Sequence, residues 1–266
     1  MTLVVTRRAR HLAVSGAAAG VLLVLTACEG GASSPGREGS GKQSADGVLL
    51  SQSMQLFRDS PSVRVTARSA VAMGSGVGIS VDRDKNCRVE AQGGFFQVAV
   101  ERGGRTWMRW SDDTLQKVGT SPDGERLKKE LRGKWLELAQ EGRIRKSMVD
   151  LCALTPLRTV TDQLARPSKH TARQPETTED GERLVPLRLA EDNMSVTAFI
   201  KDGEKPYPHK IIVNIPTFAP APVDFWLDAY GEPVTLAPPA AAQTVRSASI
   251  EALAERHLAA GLPSST

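Results

Sequence analysis

The chain has 266 residues, 34 Lys+Arg against 30 Asp+Glu, and a formal net charge of +4. Three of its basic residues, Arg7, Arg8 and Arg10, precede any acidic residue, so the chain after Ala27 is close to neutral. A near-neutral chain with no long block of one charge gives no electrostatic reason to expect nucleic acid as a partner.

The first stretch explains the asymmetry. The three arginines are followed by an apolar run from Leu12 to Leu25 that carries no charge. A membrane span needs about 20 apolar residues, so this run is too short. Basic start, apolar middle and small-residue exit make a secretory signal over residues 1–27. Cys28 stands directly after Leu25-Thr26-Ala27. That pattern matches the lipobox of bacterial lipoproteins, in which the cysteine is acylated and becomes the new N-terminus. The expectation is a chain anchored to the cell membrane through Cys28, on the extracytoplasmic side. The competing reading is an ordinary signal peptide cut near Ala27.

Residues 28–46 are rich in Gly and Ser and cannot bury a core, which predicts a flexible tether. At about 5–6 Å × √n it holds the domain on the order of 20–25 Å from the bilayer. From Val48 to Asp59, Leu50, Met54 and Phe57 recur at helical spacing, and Ser60-Pro61 ends the helix. The period then falls to two. Val63, Val65 and Ala67 alternate with polar residues, as do Val77, Ile79 and Val81. Cys87, Val89 and Ala91 follow the turn Asp84-Lys85-Asn86. Phe96, Val98 and Val100 follow Gly93-Gly94, and Arg105 to Trp110 follows Gly103-Gly104. Five short strands joined by tight turns are the signature of an antiparallel meander.

The strand pattern fades after Ser111. Asp112-Asp113 opens a short helix, 133–138 reads as extended or a turn, and 147–152 and 155–165 read as helices. Thr155-Pro156 supplies a cap with Pro at the first turn. Residues 167–179 read as a polar loop. Strands resume at Val185–Leu189, Met194–Ile200, Ile211–Ile215 and Phe225–Leu227. A tail from 237 to 266 holds one weak helix near Ser249–Ala260.

The predicted fold class is α+β: a single large curved antiparallel sheet of about nine to eleven strands, with helices covering its concave face. Residues 47–236 make that domain. Two cysteines remain besides Cys28. An even pair in an exported chain predicts a disulfide between Cys87 and Cys152. It closes a loop of about 65 residues, worth roughly 4 kcal/mol in the chain-entropy treatment. Two buried free thiols are the alternative.

The order of elements, joined to the lipobox, resembles the LppX/LprG-type lipoproteins of actinobacteria and the wider LolA-like half-barrel group. Asn86–Ala91, Gly104–Trp110, Gly133-Lys134-Trp135, Leu151-Cys152-Ala153-Leu154 and Tyr230–Val234 carry the resemblance. It implies a bent sheet with helices in its hollow and a lipid or lipoglycan as ligand. The candidate lining residues are Val65, Ile79, Val89, Val98, Val196 and Ile211, with the inward parity left open. The other reading is an envelope scaffold or sensor accessory that binds a protein partner and no ligand.

Catalytic patterns are not found, so no enzyme is expected. His170, His209 and His257 are far apart, and no close-spaced ligand pairs suggest a metal. Gly74-Ser75-Gly76-Val77-Gly78 lacks the lysine of a phosphate-binding loop, which leaves a hairpin turn. Asp112-Asp113 suit a helix N-terminus better than an acid pair. No cofactor is expected. Trp107 and Trp110 point to opposite faces of one strand, so at most one of them is core.

Overall fold

A computed structural model of the chain describes residues 44–69, 76–166, 170–191, 194–215 and 221–258. The signal segment, Cys28, most of the tether and Gly74-Ser75 lie outside the described residues, as does the chain beyond Leu258.

Helix α1 (Ala45–Asp59) opens at Ser44, whose hydroxyl accepts from the Gly47 amide at 3.0 Å. It buries Leu50, Met54 and Phe57, the three residues picked out by spacing. The meander follows as β1 (Ser62–Ser69), β2 (Val77–Asp82), β3 (Cys87–Ala91), β4 (Phe96–Val100) and β5 (Thr106–Trp110). The β4–β5 hairpin turns on Gly103 and Gly104, both at positive φ (96° and 89°), where a side chain would be strained.

The middle holds α2 (Asp112–Gln116), α3 (Pro122–Leu131), β6 (Trp135–Glu137), α4 (Arg143–Cys152) and α5 (Thr155–Leu164). The second half has β7 (Thr171–Arg173), β8 (Thr177–Glu179), β9 (Glu182–Glu191), β10 (Met194–Lys201), β11 (Pro208–Asn214) and β12 (Val223–Asp228). Strand β13 (Thr244–Val245) and helix α6 (Ala248–Leu258) follow.

Among the described residues the strands form one 13-stranded sheet. Its order is β13-β6-β5-β4-β3-β2-β1-β12-β11-β10-β9-β7, with β8 paired to β9. The path has two ends, so the sheet is open. Two meanders meet where β1 pairs with β12, Val65 opposite Leu227. The sheet is antiparallel except for β13 beside β6, which is parallel. The strands outnumber the nine to eleven expected because β7, β8 and β13 are only two or three residues long. Such pieces have too few residues to display a period.

One face of this sheet is apolar from end to end. Leu136, Met108, Val98, Val89, Ile79 and Val65 stand opposite one another on successive strands. In the other meander Ile211 faces Ala198, and Val196 faces Val213. The helices cover this face. Helix α1 packs on β7, β10 and β11, α4 packs on β2 and β3, and α1 and α5 touch each other. Helix α6 packs on α3, and its Ile250, Leu253, Ala254 and Leu258 join the same core.

Candidate functional site

The six residues expected to line a cavity share the helix-covered face, which resolves the parity. Val65, Val89, Val98, Val196 and Ile211 are 0 % exposed and Ile79 is 2 %. All belong to one hydrophobic core, packed under the helices. Trp110 belongs to that core too, at 3 % exposed, but Trp107 on the opposite face is also buried, at 2 % exposed, with the Arg105 guanidinium 5.1 Å from its ring centre. Both tryptophans are buried where at most one was expected to be, because polar side chains cover the second face here.

Cys87 and Cys152 form a disulfide, with Cα atoms 6.0 Å apart. It joins β3 to the last residue of α4. Cys87 pairs in register with Val81 on β2. Two residues beyond Cys152, Leu154 takes a left-handed conformation at φ 52°, which turns the chain from α4 into α5. A bulky residue rarely adopts it. Pro156 then starts α5 in the position where its missing N–H costs nothing.

These pieces border an open cavity of about 240 Å³ at the strand ends where β1 begins and β2 finishes. The end of α1 gives Phe57, Arg58 and Ser60. The chain into β1 gives Pro61, Ser62 and Val63. The end of β2 and its turn give Val81, Asp82 and Arg83. The α4–α5 junction and α5 give Leu154, Arg158 and Asp162. Local hydrogen bonds fix the rim. The Ser60 hydroxyl donates to the Ser62 carbonyl at 2.6 Å, and the Ser62 hydroxyl to the Glu232 carbonyl at 2.5 Å. The Arg83 amide donates to the Pro61 carbonyl at 2.9 Å. Both Asp82 carboxylate oxygens accept from Asn86, its amide and its side chain, each at 2.9 Å.

Three guanidinium groups border this space. Arg58 pairs with Asp162 at 3.3 Å, with both side chains well exposed. Arg83 donates from Nη2 to the Asp59 carbonyl. Arg158 is exposed and its side chain has no partner among the described residues. The cavity thus sets five apolar side chains, Phe57, Pro61, Val63, Val81 and Leu154, beside three cations and two carboxylates. Sequence reasoning missed it, because its arginines come from three distant segments and each reads alone as a solvated charge.

Elsewhere, His209 has both ring nitrogens buried without a hydrogen bond, and Glu179 lies 3.9 Å away. Among the described residues no group of three or more His, Cys, Asp or Glu could hold a metal ion. Among them, too, no helix is long and apolar enough to cross a membrane.

The fold and site define a class: an open half-barrel with a helical cover, stapled by one disulfide, with a small charged cavity at its end. No protein-family model matches the sequence, and no curated protein matches it. Solved structures do. The Mycobacterium tuberculosis lipoprotein LppX is similar at 12 % identity over 72 % of this chain and 99 % of that one, with a TM-score of 0.38. A chain of the Pseudomonas aeruginosa MucA/MucB complex is similar at 13 % identity over 75 % of this chain and 60 % of that one, TM-score 0.30. A LolA superfamily protein from Nitrosomonas europaea is similar at 10 % identity over 68 % and 90 %, TM-score 0.24.

Proposed function

We propose that the chain is an exported binding protein, anchored to the cell membrane through acylated Cys28, that takes an apolar ligand between its sheet and its helices. It acts as a holder or carrier and catalyses no reaction. The observation that supports this most is the one-sided sheet. An apolar face that crosses both meanders is covered by separate helices rather than by a second sheet. Those helices rest on the strands through side-chain packing, with no ladder of backbone hydrogen bonds to them. One covalent bond, Cys87–Cys152, ties them to the sheet. A cover held this way can part locally, and an acyl chain can replace its contacts at about 0.8 kcal/mol per buried CH₂.

A specific observation favours a second reading. The six candidate lining residues are 0–2 % exposed, so the chain fills its own hollow in this conformation. A scaffold that binds a protein partner and no ligand would be built so.

The test starts from the full chain with Cys28→Ala, recovered from the extracytoplasmic fraction and purified without detergent. Organic extraction and lipid mass spectrometry are expected to find close to one lipid per chain. A native mass equal to the bare polypeptide, with no lipid in the extract, would overturn the ligand reading in favour of the scaffold.

A further inference from the structure

We propose that the cavity at the end of the half-barrel is an anion site that takes a phosphate or carboxylate headgroup, with Arg83 and Arg158 as its ligands. The inference rests on the reading of the chain as a binder of an apolar ligand, and it adds the polar end of that ligand.

The charges favour an anion. Three guanidinium groups face two carboxylates around the cavity, leaving one positive charge in excess. The carboxylates are also occupied. Asp82 accepts from Asn86 with both oxygens, and Asp162 is paired with Arg58. Arg158 is exposed and its side chain has no partner among the described residues, so its fork of donors is open to a ligand. Arg83 donates from one Nη to the Asp59 carbonyl, and its other guanidinium N–H groups have no partner among the described residues. Planar forks of this kind match the paired oxygens of carboxylate and phosphate. The Arg58–Asp162 pair is exposed, and such pairs contribute little stability, so a competing anion can displace Asp162 from Arg58.

The walls favour an amphiphile over a bare ion. Phe57, Val63, Val81 and Leu154 lie against the same space, and Val63 and Val81 stand opposite each other at the ends of β1 and β2. The start of an alkyl stem could lie along them and lead toward the sheet's apolar face. At about 240 Å³ the cavity is smaller than the 300–1,000 Å³ usual for whole drug-sized ligands. It suits a headgroup and a few methylenes. The left-handed Leu154 also sits on this wall, held by the disulfide two residues before it. Bulky residues in this conformation tend to gather at ligand clamps.

The test is calorimetric titration of the full Cys28→Ala chain at fixed ionic strength with three probes. These are dihexanoyl phosphatidic acid, dihexanoyl phosphatidylcholine and inorganic phosphate. The phosphatidic acid is expected to bind at least tenfold tighter than the phosphatidylcholine. Arg83→Gln/Arg158→Gln should abolish that preference, while the charge-matched control Arg132→Gln/Lys134→Gln should keep it. Arg158→Gln alone should lower affinity for the anionic probe about tenfold, and it removes no contact within the described fold. Inorganic phosphate binding as tightly, with the same arginine dependence, also supports the anion site and identifies its ligand as a free ion. Equal affinity for the two lipids, or indifference to the arginines, overturns the headgroup site while leaving the apolar-ligand reading intact. Absence of binding by all three probes overturns it as well, and lipid extraction then tells separately whether the apolar reading survives.

Discussion

Glu251 fixes how the C-terminal helix sits on the domain. Its carboxylate is only 6 % exposed and accepts from the Ala139 amide with both oxygens, at 3.2 and 3.0 Å. One turn on, Glu255 accepts from the Arg143 amide at 3.1 Å. Helix α4 begins after Gly142, which has no side chain to cap it, so α6 supplies the carboxylate from outside. A Cβ on Gly142 would lie 2.2 Å from Glu251 Oε1. Glu251→Ala is therefore expected to cost about 1.5–3 kcal/mol, the usual range for a hydrogen bond to a charged group. Gly142→Ala should destabilise too, and less so in the Glu251→Ala background, because the clash is then gone. Urea unfolding of the two single variants and the double checks this. Strict additivity would contradict the contact. None of it was legible in the sequence, since Glu251 and Glu255 each lie 112 residues from the amide they accept from, Ala139 in the turn before α4 and Arg143 at its start. The disulfide was legible, because setting Cys28 aside for the expected acylation left two cysteines with only each other to pair with.

Tyr230 sets the alkaline limit at the same scale. Its hydroxyl donates to the Pro208 carbonyl at 2.6 Å, and its ring stacks on Tyr207 with centroids 4.3 Å apart. Burial first, then Tyr207 and Asp228, pushes its pKa well above the usual tyrosine value. A raised folded pKa contributes stability that is complete below the unfolded value of about 10 and is lost as pH rises above it. The melting temperature should therefore fall as pH rises past about 10. Tyr230→Phe should cost about 0.5–1.5 kcal/mol at neutral pH and flatten that fall. An unchanged alkaline slope in the variant would rule out Tyr230 as its source.

At the scale of elements, legibility followed length and period. The strands β1 to β5 and β9 to β12 could be read because alternating Val, Ile, Phe and Leu residues mark one wet and one dry face. Helix α3 could not. Its buried apolar residues are only Leu127 and Leu131, and Gly124 near its start weakens any helical signal. That glycine is required, since a Cβ there would meet the Gly119 carbonyl at 2.1 Å. The signal that could have found α3 was its start: Ser121 accepts from the Gly124 amide at 3.2 Å, and Pro122 follows it. Helix α6 was only faintly legible, because its apolar residues gain meaning from α3. The disulfide makes an element-scale prediction. Strands are held by neighbouring ladders, whereas α4 depends on packing and on Cys152. Cys152→Ser should lower stability by about 2–5 kcal/mol. Hydrogen exchange should speed up in Arg143–Leu164 more than in β2, β3 and β4. Equal acceleration throughout would mean that the bond does not act as a local staple.

For the whole molecule, the proposed function joins a sequence expectation to a fold. The lipobox pattern at Cys28 and the Gly/Ser-rich stretch after it are the grounds for expecting a domain tethered near a bilayer. The half-barrel presents one apolar face that is covered by helices and bordered at one end by three arginines. That face was legible as an alternating pattern, but its parity was not. A strand turned by one residue would have shown the same period, and only the pairing of β1 with β12 puts Val65 and Ile211 on one side. The central claim is that this face receives an acyl chain when the helices part. Its most direct test is methyl NMR of the Cys28→Ala chain, titrated with stearic acid carrying a nitroxide near the end of its chain. Selective broadening of the methyl signals of Val65, Ile79, Val89, Val98, Val196 and Ile211, reversed by unlabelled stearic acid, is the expected result. Broadening confined to exposed methyls such as those of Val48, with these six signals unchanged, would contradict it.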